Sequence, residues 1–523
     1  MAACLLDLEV ELLLLIVEAL DVRHQCRIAA SCKLFALVVM ELENTTSYLA
    51  SAAFSGDNTL DVVSKMDAQL LVAPTMGLVL SEWYEKTLPT KFTTCLPANL
   101  ELIGAEVGHL VYEDWETMLS DKSDFSMWLG HFPEAEVRSF LVSEADALDL
   151  RHPAWNGALE EGWKVFILLP VGAGARNIQQ VVNNLQRAHA DAAIVGGIVT
   201  GDRVFQMTNG KFQVSSDGVA GLMFRGNVPL SVLVSRGVAP LSEPYTIGAA
   251  RSLEAISKAI TSEGEVNWDV MEREAAEEMQ GMNLWEEDED ELYECVSELI
   301  TADGESHDAF SALGQAMACS GNGVLIGTSV DPEKDGYNLT CLSHEMVSGQ
   351  APRLGGFFLP RPGPGLRWDA SCGGTGGKVR FFELSPQQCK EDVISKLTAV
   401  AQKAAASGQK LVGGFMFSCA GRGAQFFGEE DFDAKAFGKI FDGKPLMGMY
   451  AAGEIGPKAL GEAPASRATQ VGHAAVQGFT AVYALFLAPE RSRRKSCIDI
   501  RPEEDIATTY ARFKTPHRMD TST

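Results

Sequence analysis

The chain has 523 residues, with 43 Lys and Arg against 70 Asp and Glu, a formal net charge of −27. A chain this long exceeds one core and implies roughly two to four domains. Its acid excess repels phosphate backbones and anionic lipid, so nucleic acid and membrane are excluded as partners in favour of a basic protein surface. The 11 cysteines are scattered without a CxxC pair. Reduced thiols in the cytoplasm or nucleus follow, with no zinc site, other metal or disulfide scaffold expected.

The first twenty residues are leucine-rich, but Asp7, Glu9 and Glu11 interrupt them and no basic segment precedes. A signal peptide is therefore not expected, and no apolar run is long enough to predict a transmembrane helix. Leu8, Leu12, Ile16 and Leu20 recur every fourth residue, a stripe suited to a buried helix face. Leu13, Leu14 and Leu15 widen that stripe towards a partner surface. VRHQCRIAA, carrying Ile28, and KLFALVVMELE, carrying Phe35 after the capping Ser31, predict two more short helices. The pattern predicts a three-helix module within 5–43.

The order LxDL-x₂-ELLLLIVEALD…IAASCKLFALVV resembles an F-box, with Leu6-Asp7 replacing the usual Leu-Pro and the late tryptophan missing. The resemblance implies a module at 1–45 that docks on the Skp adaptor, and through it cullin, by Leu8, Leu12, Leu15, Ile16, Leu20, Ile28 and Phe35. The alternative is a helical cap packed on the next domain.

From about residue 60 the chain alternates short helices with glycine-punctuated strands. Residues 76–84, MGLVLSEWY, and 100–112, LELIGAEVGHLVY, read as strands, and 181–190 as a helix before AAIVGGIVT. Asn209-Gly210 predicts a tight hairpin inside RVFQMTNGKFQV. The pair GLVLSEWY and LELIGAEVGHLV is echoed by GFMFSCAG and PLMGMYAAGEIG at 414–421 and 445–456. The expected class is α+β: a three-helix module, then a duplicated body of mainly antiparallel sheets with flanking helices. Six consecutive acids at 286–291 predict a solvated face or loop, or a strip for a basic partner. The Gly/Pro-rich 351–378 predicts an exposed loop, and 486–523 a polar tail.

Most familiar chemistry fails on spacing. GGTGGK at 373–378 places Cys372 where a phosphate loop needs its first glycine, and no GxSxG or HExxH occurs. Cys419 is the one nucleophile to weigh, with Arg422 three residues on and His473 as a distant base; a buried cysteine, with Arg422 pairing to Glu454 or capping a loop, is the bland reading. No cofactor and no catalysis are expected.

FSCAGRG and GEIG resemble the C-terminal half of the FIST sensory domain, and IVGGIVTGDRVFQM…SRGVAPLSEPYTI resembles its N-terminal half. That resemblance implies a body divided at 60–250 and 251–485. It also implies a pocket for a small ligand such as an amino acid, lined by Cys419, Arg422, Gly453, Glu454 and Gly456. Arg422 would grip a carboxylate there. Thr469 and His473 match the family's ending only loosely. Together the two resemblances imply a recognition subunit of a Skp–cullin–F-box ubiquitin ligase that selects a protein substrate; the alternative is a stand-alone small-ligand sensor.

Overall fold

The computed structural model describes residues 47–55, 70, 72–82, 90, 92–93, 96–112, 115–116, 124–228, 230–252, 293–320, 324–329, 338–341, 356–360, 377–457 and 474–489. Three six-stranded sheets share one apolar core. A fourth sheet, of eight strands, is formed mostly by chain between Arg236 and Gln409.

The three six-stranded sheets follow one plan. The first runs Tyr48–Ser55, Asp124–His131, Met76–Ser81, Glu101–Glu106, Val204–Thr208, Lys211–Ser215. The second runs Ala135–Val142, Gly218–Gly226, Trp163–Val171, Ala193–Gly197, Glu454–Pro457, Ala474–Gln477. The third runs Leu230–Arg236, Thr480–Pro489, Gln409–Cys419, Leu446–Ala451, Leu110–Tyr112, Trp115–Glu116. In every case the third and fourth members are parallel and all other neighbours antiparallel.

In each sheet, four strands come from one stretch of chain and the closing hairpin comes from another. The first repeat lends its hairpin at 110–116 to the third sheet. The second lends 204–215 to the first sheet, and the third lends 454–477 to the second. Three repeats thus close a ring by exchanging hairpins.

The register makes the equivalence residue by residue. Ala105 faces Val204, Gly197 faces Glu454, and Met449 faces Leu110. One residue further along, three backbone bonds repeat: Glu106 N–H to Arg203 O at 2.8 Å, Ile198 to Gly453 O at 2.8 Å, and Tyr450 to His109 O at 3.3 Å.

A glycine recurs at one position of the parallel pair, as Gly104, Gly196 and Gly448. A Cβ there would lie 2.5 Å from Val79 O, 2.0 Å from Leu168 O and 2.0 Å from Met416 O respectively. The parallel neighbour passes too close for any side chain.

Strand alternation then sorts the two faces. Leu78, Trp128, Ile167, Leu222, Phe417 and Phe486 point into the shared core. Met416, Tyr483 and Leu485 point outward beneath the helices Pro386–Ala406 and Phe432–Ile440. The helix Ile178–Ala188 buries Val181, Val182 and Leu185 over the second sheet. The long helix starts where Ser385 Oγ accepts the Gln388 N–H at 3.3 Å, with proline in its first turn.

Several sequence readings are met closely. The hairpin turns at Asn209 and Gly210, with φ of 50° and 68°. The strand read over 76–84 is Met76–Ser81, and the one over 100–112 divides into Glu101–Glu106 and Leu110–Tyr112.

The expected architecture is corrected. The α+β class and the FIST-like body agree with the structure. The mainly antiparallel, duplicated arrangement does not, because each shared-core sheet is mixed and the unit occurs three times. Nor does a small three-helix module describe how this sheet-rich molecule is built. Residues 5–43, with Leu8, Leu12, Leu15, Ile16, Leu20, Ile28 and Phe35, lie outside the described residues, as do the acids at 286–291.

Candidate functional site

The strand Gln409–Cys419 ends on a short turn, Ala420–Arg422, that sends successive side chains to opposite faces. Ser418 points outward to Asp433, its Oγ donating to Oδ2 at 3.0 Å. Arg422 is buried on the same side and grips Asp433 with two bonds, Nε to Oδ2 at 3.0 Å and Nη2 to Oδ1 at 2.9 Å. Its Nη1 reaches Cys389 Sγ at 3.6 Å, and the Phe427 ring lies 5.3 Å from the guanidinium carbon. Burial opposes the guanidinium charge, but Asp433 outweighs it and holds the pKa above the usual value. Tyr483 Oη donates to the Asp433 carbonyl at 3.1 Å, fixing the helix that carries the carboxylate.

The inward face is different. Phe417 and Val482 lie in the shared core, and Cys419 and Thr480 continue that face two residues beyond. Glu454, fully buried on the hairpin lent to the second sheet, turns back to this point. Its Oε2 accepts from Thr480 Oγ1 at 2.9 Å and Thr480 N–H at 3.2 Å. Its Oε1 has no hydrogen-bond partner among the described residues. Burial raises the Glu454 pKa to about 8, with the Thr480 bonds and Arg422 opposing.

Cys419 is partly exposed at the rim. Burial and then Glu454 push its thiol up to about 11, against the opposing influence of the Gly421 and Phe479 backbone N–H groups and Arg422. Phe479 holds a left-handed backbone, φ 54°, with its ring packed over Gly421, where a Cβ would lie 3.0 Å from it.

Behind this cluster, Gln477 Nε2 donates to Gly456 O at 3.1 Å and Pro457 O at 3.2 Å, while its Oε1 accepts from Arg236 Nη2. Burial lowers the Arg236 pKa to about 10, opposed by Asp392. Gly453 is tightly enclosed: a Cβ there would meet Ile198 at 3.0 Å and Val476 at 3.1 Å. A Cβ on Gly456 would meet Val482 at 2.9 Å.

The residues singled out from sequence therefore divide. Cys419 and Glu454 come together, with Gly453 and Gly456 shaping the hairpin beneath them. Arg422 belongs to the opposite face, where Asp433 takes the bidentate grip foreseen for a ligand carboxylate. His473 and Thr469 lie outside the described residues. Sequence reading missed Asp433, Thr480 and Phe479. Asp433 sat unmarked in an acidic segment, and nothing in the sequence distinguishes Thr480 from other strand threonines.

Two family models match the chain, the FIST N domain over residues 88–256 and the FIST C domain over residues 374–457. The chain carries both FIST domains. The second match contains Cys419, Arg422, Asp433 and Glu454.

Two uncharacterized proteins of Mycobacterium tuberculosis strains are each 28% identical over 311 residues, 59% of this chain. The matched region spans 64% of the length of each relative. An uncharacterized protein of Mycobacterium bovis is 41% identical over 78 residues, 15% of this chain and 17% of its own. F-box only protein 22 of Homo sapiens is 42% identical over 71 residues, 13% of this chain and 18% of its own. The FIST pair suggests a sensor role in signal transduction. No helix among the described residues is long and apolar enough to cross a membrane.

Proposed function

We propose that this chain is a small-ligand sensor in signal transduction, with its ligand held at the Glu454–Cys419–Thr480 junction and no bond made or broken there. The observation that carries the reading is the buried Glu454 carboxyl with one oxygen unsatisfied, inside the matched FIST C domain. Buried polar atoms are almost always paired, so an orphan beside a partly exposed residue is a place for an exogenous group. The high Cys419 pKa supports binding over thiol catalysis, because the thiolate is the nucleophile.

Thermal unfolding of the full chain against a panel of small metabolites tests this. A ligand that binds only the native state raises the midpoint with concentration. A panel spanning amines, acids, amides and sugars that leaves the midpoint unmoved sinks the reading.

A second reading, a recognition subunit of a Skp–cullin–F-box ubiquitin ligase acting in cytoplasm and nucleus on a protein substrate, is favoured by the partial likeness to F-box only protein 22. It requires residues 1–45 to bind the Skp adaptor. Pull-down of the full chain by purified adaptor, lost on Leu12→Asp, supports it; absence of binding removes it and leaves the sensor.

A further inference from the structure

The threefold ring makes Glu454 conspicuous. At its position the first and second repeats carry Leu110 and Val204, both buried in the shared core. Two of three copies fill the site with hydrocarbon, and the third fills it with a carboxyl whose Oε1 is unpaired. Leucine or valine would pack there without that penalty, so packing supplies no reason for the acid.

The polar positions beside it also vary between copies, the first repeat carrying Glu82 and Asp124 where the third has Cys419 and Thr480. The residue matching Cys419 in the second repeat is Val171, and the residue matching Thr480 is Gly218.

The surroundings choose the chemistry of the missing partner. Arg422 is committed to Asp433 and Cys389. The facing strand, Ala193–Gly197, has no titratable side chain, and Gln477 on the paired strand is neutral. An incoming anion therefore meets a carboxyl and finds the Arg422 guanidinium engaged, whereas an incoming cation meets Oε1. Phe479, next in the chain to Thr480, is partly exposed and held in a left-handed backbone with its ring over Gly421 and against the Leu325–Phe382 cluster, and an aromatic face attracts cations.

We propose that Glu454 anchors a small ligand through a primary ammonium group, which donates to Oε1 beside the Phe479 ring. This rests on the sensor reading above and names the ligand class of its site. Glu454 is largely protonated at neutral pH, so the ammonium displaces its proton to solvent. Affinity then rises about tenfold per pH unit up to about pH 8, and levels off above it.

The test is calorimetric titration of the full chain with methylammonium chloride, at constant ionic strength and in buffers of differing ionisation heat. Acetate and acetamide serve as anionic and neutral counterparts. Methylammonium should bind with release of about one proton at pH 7. Glu454→Gln keeps an acceptor for Thr480 and should lose at least about tenfold in affinity and all proton release. Phe479→Leu should lose severalfold with proton release retained.

Failure of methylammonium to bind, binding without proton release, or binding indifferent to Glu454→Gln overturns the proposal. Binding of acetate or acetamide alone overturns the ammonium but leaves the sensor. Silence from all three and from the metabolite panel overturns both.

Discussion

Two buried carboxylates lie at the end of one strand and have opposite characters. Asp433, on the outer face, receives two bonds from Arg422 and one from Ser418. Glu454, on the inner face, has one oxygen bonded and one not. The first is a closed account of charge and holds a helix to a sheet. The second is open, and an open site inside a protein is either a cost without return or a place where something binds. Burial alone distinguishes nothing here, since both side chains are fully buried; satisfaction does.

Breaking the closed pair should have the largest effect. Asp433→Ala leaves a buried guanidinium uncompensated and should lower stability by about 3–5 kcal/mol in urea unfolding. Replacing both partners with apolar residues, Arg422→Met with Asp433→Leu, should recover much of that loss. A single variant as stable as the parent would show that the pair is not the clamp described.

The repeated glycine comes next. Gly448→Ala drives a methyl against Met416 O and should cost roughly 1–3 kcal/mol, while Gly443→Ala, in open space but with φ 65°, should cost only about 1 kcal/mol. Equal losses would argue that the close parallel approach is not what fixes the glycine.

The open carboxyl should show itself through pH. Its folded pKa of about 8 lies above the ordinary 4.5, so between those values the native state keeps a proton that the unfolded chain has lost. Its contribution to stability is therefore complete below the lower value and declines as pH rises through the upper one, by at most about 1.4 kcal/mol per pH unit. Glu454→Gln should flatten that decline. A parent and variant with parallel stability–pH curves would mean that Glu454 ionises as easily folded as unfolded.

The smallest effect concerns the neighbouring thiol. Alkylation at pH 9, where the Glu454 carboxyl is ionised, should be slower at Cys419 than at exposed Cys319, and should quicken modestly in Glu454→Gln, which removes the charge that raises the thiol pKa. Faster labelling at Cys419 would return the thiol to consideration as a nucleophile.

Local features were legible in the sequence and long-range ones were not. Asn209-Gly210 announces its hairpin because only a few residue types accept two successive left-handed conformations. The likeness of LELIGAEVGHLV to PLMGMYAAGEIG is real, since Gly104 and Gly448 occupy one position of the fold. The third copy, AAIVGGIVT with Gly196, escaped notice because apolar strands of similar composition are hard to align without a register.

Cys419 and Glu454 were singled out by motif, and they do meet. The partner of Arg422 was misjudged because Asp433 reaches it across a helix whose placement depends on Tyr483, far along the chain. Strand exchange is invisible in principle to a local pattern: nothing near Leu110–Tyr112 indicates that its neighbour lies at Leu446–Ala451.

That exchange has a consequence during synthesis. The first hairpin leaves the ribosome long before its neighbouring strand exists, and waits while more than half of the chain is made. The second sheet in turn lacks its last two strands until Ala474–Gln477 emerges. Contacts so distant in sequence fold slowly and leave unpaired strand edges exposed meanwhile. A nascent chain of this design can complete its first sheet once Lys211–Ser215 is made, but the ring stays open until Thr480–Pro489 emerges.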